Sequence, residues 1–473
     1  MNRTLFAFAL LATTLSATAL TSAGCGGRQA TTAGDPDAVA PTGDRDGAAR
    51  LNDNTTDFVV NGIRVIVKQD STTPLVTASI YFDGGVALHD AEEAGLDRFA
   101  LNVATDGGPE GMTRSEYRNA LDRVGASIGA STDRDYASAT LFSLGSELND
   151  AFALFARTLR QPALADGQLE LTRQQMIASV RSLYDDADSA VRETVQQFAW
   201  ANHPYVTRPQ GEEVTLQRFT RRDLTFALNR LLTRERMLVV FVGDIKPLQA
   251  AALVEQHLAD LPGSSSWHAS TNGTIFPDNV PPFAWQRGNV EVLVRPELPT
   301  NYIIGYFAAP SPDHEDYPAM LLATQILRNR LFEEVRTRRN LTYAVSSGLG
   351  TRRANVGFLY VTATDPATTL GVMYNTIDAM ITTPVSRQDL ENQLRIYLTR
   401  YYMSLQSTGA QASMLAQWEL LGGGRANADA FIDAMRRVTP NDVARVLNTY
   451  VRNVQYGVVG DPELIPEQTF TAR

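Results

Sequence analysis

The side chains able to hold a metal or act as nucleophiles are few and scattered. Five histidines, His89, His203, His257, His268 and His314, occur in 473 residues. No two stand at the i, i+3 or i, i+4 spacing with which a helix presents paired imidazoles to one cation. The single cysteine, Cys25, excludes an intrachain disulfide and a thiolate metal cluster. Carboxylates adjoin at Asp185-Asp186 and across Asp313–Asp316, where divalent-cation binding is the chemistry to weigh, but both stretches read as helix ends and loops. A net charge of −10 argues against a nucleic-acid binder held by phosphate contacts. With 44% hydrophobic and 20% charged residues the composition is that of a globular chain, long enough for two to four domains.

Cys25 has a different reading. Arg3 precedes an apolar run, Leu5 to Leu20, and the small residues Thr21-Ser22-Ala23-Gly24 follow. The run is short for a membrane span, and its positive start and small-residue end match a secretory signal. The junction resembles a bacterial lipobox, with Ser22 where Leu is usual, which implies that Cys25 is acylated and becomes the mature N-terminus. The alternative is an ordinary signal peptide and a mature chain with one free thiol. Residues Gly26 to about Asn52, rich in Ala, Gly, Asp, Thr and Pro, read as a flexible tether. Gly26 is not the Asp that commonly retains lipoproteins in the inner membrane. The expectation is therefore a signal peptide over 1–24, a lipid-anchored tether over 25–52, and an exported protein anchored in the outer membrane and facing the periplasm.

Beyond the tether the elements repeat. Thr220-Arg221-Arg222-Asp223-Leu224 opens a helical stretch that leads to the apolar segment Met237 to Val242 and to Gly243-Asp244. Thr439-Pro440-Asn441-Asp442-Val443 opens a similar stretch, followed by Val454 to Val459 and Gly460-Asp461. In each copy a Thr N-cap with Asp three residues on predicts reciprocal capping. The starts match as well: a hairpin from Asp57 to Gln69 around Asn61-Gly62 and a strand from Leu75 to Phe82, against strands Val290 to Val294 and Asn301 to Ala309. Helices are predicted over Ala94 to Asp106 and Tyr317 to Arg338, then strands over Tyr136 to Leu144 and Val356 to Thr362. Long amphipathic helices cover Gln168 to Tyr184 and Arg387 to Gln406. The Ser-, Asn- and Pro-rich stretch 262–282 reads as a linker between an N-terminal domain, 53–261, and a C-terminal domain, 283–473. The fold class is α+β: two homologous domains, each a mostly antiparallel sheet packed against helices.

Several stretches, in this order and spacing, resemble the insulinase or pitrilysin-type zinc peptidases, the inverzincins. They are Gly84-Gly85, Glu93-Ala94-Gly95-Leu96, Gly125-Ala126 and His203-Pro204-Tyr205 with Gly211, then Leu331-Phe332-Glu333-Glu334-Val335-Arg336 continuing into Asn340-Leu341-Thr342-Tyr343-Ala344-Val345. The resemblance is to the half-length class of mitochondrial processing peptidase subunits, and it implies a clam-shell half. The family's chemistry uses an H-x-x-E-H helix, with a further Glu ligand on a later helix. Aligned through Gly95-Leu96, this chain carries Arg98, Leu101 and Asn102 at those positions, and Ser179 near the third ligand. A cation, an alkyl group, an amide and a hydroxyl cannot replace two imidazoles and two carboxylates. The implication is a chain that binds no zinc of its own and is inactive alone. The resemblance further implies that Arg336 and Tyr343 are the family's substrate-binding Arg/Tyr pair, a guanidinium fork and a phenol suited to carbonyl and oxyanion oxygens. Gly422-Gly423-Gly424 is similar to a glycine-rich substrate loop of the non-catalytic processing subunit, yet it directly follows the helical stretch Met414 to Leu421 and reads as a left-handed helix end.

A lost zinc motif beside a retained Arg/Tyr pair implies the non-catalytic, substrate-binding subunit of a heteromeric zinc peptidase acting on unfolded peptides, with zinc on a homologous partner. The competing expectation is an inactive periplasmic scaffold or peptide-binding protein that keeps only the fold.

Overall fold

The hairpin at Asn61-Gly62 forms because both residues take positive φ, 48° and 89°, which matches a tight turn to the twist of its strands. In the computed structural model, which describes residues 50–263, 280–284, 289–465 and 467–470, it joins β1 (Thr55–Val60) to β2 (Ile63–Gln69). The first half continues with β3 (Leu75–Asp83), α1 (Leu96–Gly107), α2 (Arg114–Arg123), β4 (Ser127–Thr132), β5 (Tyr136–Leu144), α3 (Leu148–Arg160) and α4 (Asp166–Arg181). It ends with α5 (Ala187–Ala199), α6 (Glu213–Arg218), α7 (Arg221–Leu231), β6 (Met237–Gly243) and α8 (Pro247–Leu258). The second half runs β7 (Val290–Val294), β8 (Asn301–Ala308), α9 (Tyr317–Leu331), β9 (Val345–Leu349), β10 (Val356–Ala363), α10 (Pro366–Thr382) and α11 (Arg387–Ser404). Helices α12 (Thr408–Leu421), α13 (Asn427–Arg437) and α14 (Pro440–Tyr450) and strand β11 (Gln455–Gly460) complete it.

The two sheets share one topology. In the first, β2 lies parallel to β6, after which β3, β5 and β4 follow antiparallel, with β1 added outside β2. In the second, β7 lies parallel to β11, and β8, β10 and β9 follow antiparallel. The reciprocal caps are present in both copies: Asp223 accepts the Thr220 N–H at 2.7 Å and Asp442 that of Thr439 at 3.0 Å. Each sheet is packed against helices, so the α+β duplication expected from the repeat is the observed architecture.

The helices are exchanged between the halves. α12, from the second half, packs on β3 and β6 of the first sheet, and α5, from the first half, packs on β8 and β11 of the second. This explains why β6 is apolar and buried along its whole length instead of alternating. Met237, Val239 and Phe241 face the first-half core, whereas Leu238, Val240 and Val242 face a core shared with Ala412, Leu415 and Ala416 of α12. β11 divides likewise, Val458 joining that shared core and Val459 packing with Val191 and Val195 of α5. Each fully buried Val or Leu contributes roughly 1.5–3 kcal/mol, so the seam between halves is part of the core. Arg353 also bridges it, donating to Asp83 Oδ1 at 2.8 Å and to the Leu420 carbonyl at 2.9 Å.

Some boundaries differ from expectation. α1 begins at Leu96 because Gly95 takes φ 82°, and a Cβ there would lie 2.5 Å from the Gly211 Cα. The two glycine backbones thus touch and set the start of the helix. Gly95→Ala is expected to lower stability by more than about 1 kcal/mol, read as the urea unfolding midpoint. The helix expected over Tyr317 to Arg338 is α-helical only to Leu331 and then widens into a π-helical turn, Phe332–Thr337. His257 of α8 is half-buried, with its ring 6.0 Å from that of Phe152. The signal, nearly all of the tether, Cys25, His268 and the linker residues 264–279 lie outside the described residues. Among the described residues no helix is long and apolar enough to cross a membrane.

Candidate functional site

Arg98, Leu101 and Asn102 all fall on α1, and Ser179 falls on α4, which packs against α1. Leu101 is buried in the first-half core, Arg98 and Asn102 are half-buried, and Ser179 is exposed. These residues do not fit zinc. Leu101 is committed to packing, Arg98 brings a positive charge, and the other two are neutral oxygen and nitrogen donors. Among the described residues no group of three or more His, Cys, Asp or Glu is placed to hold a metal ion.

The ionisable groups near α1 are instead locked to one another. His89, just upstream of the helix, places Nδ1 2.8 Å from Glu93 Oε2 and Nε2 2.8 Å from Asp97 Oδ2. Carboxylates on both ring nitrogens favour the imidazolium, against the Arg230 guanidinium, whose Nη2 lies 2.7 Å from Nδ1. Arg230 of α7 donates to Glu93 Oε2 and to Asp97 Oδ1, each at 2.9 Å. Burial opposes charging of His89, but Asp97 and Glu93 outweigh it and raise the ring's pKa. Glu93 is pulled down to about 2, by His89 and Arg230 against burial, and the buried Asp97 falls well below the usual carboxylate range for the same reasons. The cluster ties α1 to α7. Paired histidines are not its signature, but the four-residue recurrence His89, Glu93, Asp97 is a signal visible in the sequence.

Arg336 and Tyr343 are brought together in the second half. Val335, fully buried, anchors the π-helical turn that carries Arg336. Asn340 at φ 51° reverses the chain, with its N–H on the Arg336 carbonyl at 3.0 Å and that of Leu341 on the Val335 carbonyl at 3.0 Å. Thr342 then fastens the returning strand by donating its hydroxyl to the Thr362 carbonyl and accepting the Ala344 N–H at 3.1 Å. Tyr343 is left 82% exposed, outside β9. The Arg336 guanidinium carbon lies 4.9 Å from the ring centroids of both Phe332 and Tyr343. Stacking on two aromatic rings is favourable and leaves the in-plane N–H edge to bind oxygen. Neighbouring cations are occupied: Arg338 pairs with Glu333 and Glu334 at 3.1 and 2.8 Å, and Arg339 with Glu334 at 2.5 Å. Arg336 has no acidic partner among the described residues. A merely structural tyrosine would be packed, so Tyr343→Ala is expected to change unfolding stability by no more than about 0.5 kcal/mol, measured by denaturant titration.

A further feature carries no sequence motif. β4 is an edge of the first sheet and packs beside α1. Its six residues, Ser127–Thr132, include no charge and no proline, the usual guards of an open edge. Gly422 to Gly424 behave as the helix end expected of them: Gly423 takes φ 73°, and the Gly422 N–H and the Gly424 N–H both reach the Trp418 carbonyl at 3.0 Å. Asp186 caps α5 by accepting the Ser189 N–H, and Asp316 precedes α9 and pairs with Arg445. His203 lies in the Pro-Tyr turn, where Nδ1 accepts the Tyr205 N–H at 3.0 Å.

Comparison with known proteins matches the family described as Insulinase (Peptidase family M16) to residues 64–208, and the Peptidase M16 inactive domain to residues 218–397. The chain is 22% identical over 291 residues to the non-peptidase homolog YmxG of Helicobacter pylori, covering 60% of this chain and 64% of that one. It is 21% identical over 271 residues to the mitochondrial-processing peptidase subunit beta of Lentinula edodes, covering 57% of this chain and 56% of that one. It thus spans less than two thirds of the length of the curated relatives it matches. Among solved structures, a peptidase M16 inactive domain from Pseudomonas fluorescens superposes with a TM-score of 0.74 at 19% identity, over 86% of this chain and 98% of that one.

Proposed function

The chain belongs to the insulinase (peptidase M16) family, and from that premise we propose that it is the non-catalytic, substrate-binding subunit of a heteromeric zinc peptidase. The observation that carries the reading is the Arg336 guanidinium, within 4.9 Å of the ring centroids of both Phe332 and Tyr343 and without an acidic partner among the described residues. Its N–H edge and the Tyr343 hydroxyl are donors for the carbonyl oxygens of an extended peptide, and they strengthen as a carbonyl gains negative charge. The open edge of β4 offers an extended peptide a row of main-chain donors and acceptors, a mode of binding in which side-chain identity matters little. Zinc belongs to the partner, because Arg98, Leu101, Asn102 and Ser179 cannot hold it.

The test is to purify the chain alone and together with a homologue that carries H-x-x-E-H. Peptide hydrolysis by the pair and not by the single chain is the expected result. Hydrolysis by the single chain would defeat the proposal, and failure of the two to co-purify would favour a peptide-binding scaffold. The envelope location is proposed on Cys25 and its leader. Labelling with a radioactive fatty acid is expected in cells expressing the wild type and absent with Cys25→Ser; label in both would remove the anchor.

A further inference from the structure

The residues of α1 that escape burial form a stripe. Leu96, Asp97, Phe99 to Leu101, Val103 to Thr105 and Gly107 are buried, whereas Arg98, Asn102 and Asp106 are half-buried. Residues four apart stand one above the other on a helix, so these three share a face. Asp97 points away from it, to Arg230 of α7. α1 is flanked by β4 and by α4, whose Arg173 guanidinium carbon lies 5.2 Å from the Phe99 ring centroid. Ile128 and Ala130 of β4 pack against the same first-half core as α1. Alternate side chains of a strand added to the β4 edge therefore point to the side on which α1 lies.

Arg98 and Asn102 are the uncommitted members of the stripe. Among the described residues neither side chain makes a hydrogen bond, Arg98 makes no ion pair, and the polar atoms of both reach solvent. The acids around them are engaged. Every acid of α4 and α6 is paired, Asp166 with Arg221, Glu170 with Arg173 and Glu213 with Arg181. Upstream of Arg98, Glu92 pairs with Arg218, and Glu93 and Asp97 pair with Arg230. β4 carries no acid. Asp106 lies eight residues on from Arg98, about 12 Å along the helix axis, and does not pair with it. A guanidinium fork and a primary amide, one helical turn apart, are thus left with their donors free beside an open strand edge. Buried or half-buried arginines ordinarily have an acceptor, and the acceptor that fits a planar fork best is a carboxylate.

We propose that Arg98 and Asn102 select peptides with an acidic side chain: an extended peptide paired on the β4 edge seats an Asp or Glu carboxylate on the Arg98 fork, with the Asn102 amide as a further donor. This rests on the reading of the chain as a substrate-binding subunit and adds to it the class of peptide bound. The test uses short, fluorescently labelled Ser/Thr/Val peptides, acetylated and amidated so that no terminal carboxylate competes, with Glu, Gln or Lys at the centre. By fluorescence anisotropy the wild-type chain is expected to bind the Glu peptide roughly tenfold or more tighter than the Gln peptide, and the Lys peptide more weakly still. Arg98→Glu should reverse the order. Should Arg98→Glu fail to fold, Arg98→Gln, which adds no charge, is expected to bind the Glu and Gln peptides alike. Equal binding of those two peptides by the wild type, or a preference for Glu that survives in the folded variant, would overturn the selection and leave the substrate-binding reading standing. Peptides bound neither by the chain alone nor with its zinc-bearing partner would overturn that reading, and the selection with it.

Discussion

Peptide hydrolysis by the assembled pair is expected to fall about 10²-fold in kcat/KM when Arg336 is changed to Ala. The guanidinium is the one cation of its turn not neutralised by Glu333 or Glu334, so its loss removes a donor that no neighbour replaces. Arg336→Lys should rescue little, because an ammonium can neither lie flat between Phe332 and Tyr343 nor present a planar fork. Both variants should fold normally and still bind the zinc-bearing partner, which separates loss of substrate contact from loss of assembly. A rate undiminished by Arg336→Ala would place substrate binding elsewhere and leave the pair Arg336/Tyr343 without a role.

Asp97→Ala is expected to cost about 3–5 kcal/mol of stability, seen as a shifted guanidinium midpoint with an unchanged slope. The substitution leaves Arg230 and His89 buried with one carboxylate, Glu93, for two cations. The same cluster sets a pH window. Glu93 and Asp97 have folded pKa values below their unfolded ones, so their contribution is full above about pH 4.5. It is lost as the pH falls through the folded values, which for Glu93 is about 2. His89 is raised, so its contribution is full below the unfolded value of about 6.5 and is lost as the pH rises through the folded value. The cluster is therefore strongest between about pH 4.5 and 6.5. His89→Gln should flatten the decline on the alkaline side. A wild type that gains stability steadily from pH 6 to 9 would contradict the imidazolium.

The repeated halves were legible because their signals are local. Caps such as Thr220/Asp223 and Thr439/Asp442, and apolar strands closed by Gly243 and Gly460, appear in consecutive residues. The exchange of α5 and α12 was not legible, since an apolar helix face does not specify which of two equivalent sheets it will cover. The approach of Arg336 to Tyr343 followed from the family likeness. Its contact with Phe332, four residues earlier, has the ordinary spacing of helix neighbours and was legible within the helix expected over Tyr317 to Arg338. The His89 cluster depends on Arg230, which is distant in sequence, so its four charged groups converge only after folding.

The exchanged helices bear on how the chain can be divided. Although the sequence reads as two domains in series, a segment ending near residue 263 would carry α5 with no second sheet to cover and would leave the outer face of β6 bare. The segment beginning near 280 would have the complementary defect in α12 and β11. Two halves made apart are thus each other's missing part, and their reunion amounts to completing a single fold and not to docking two finished bodies.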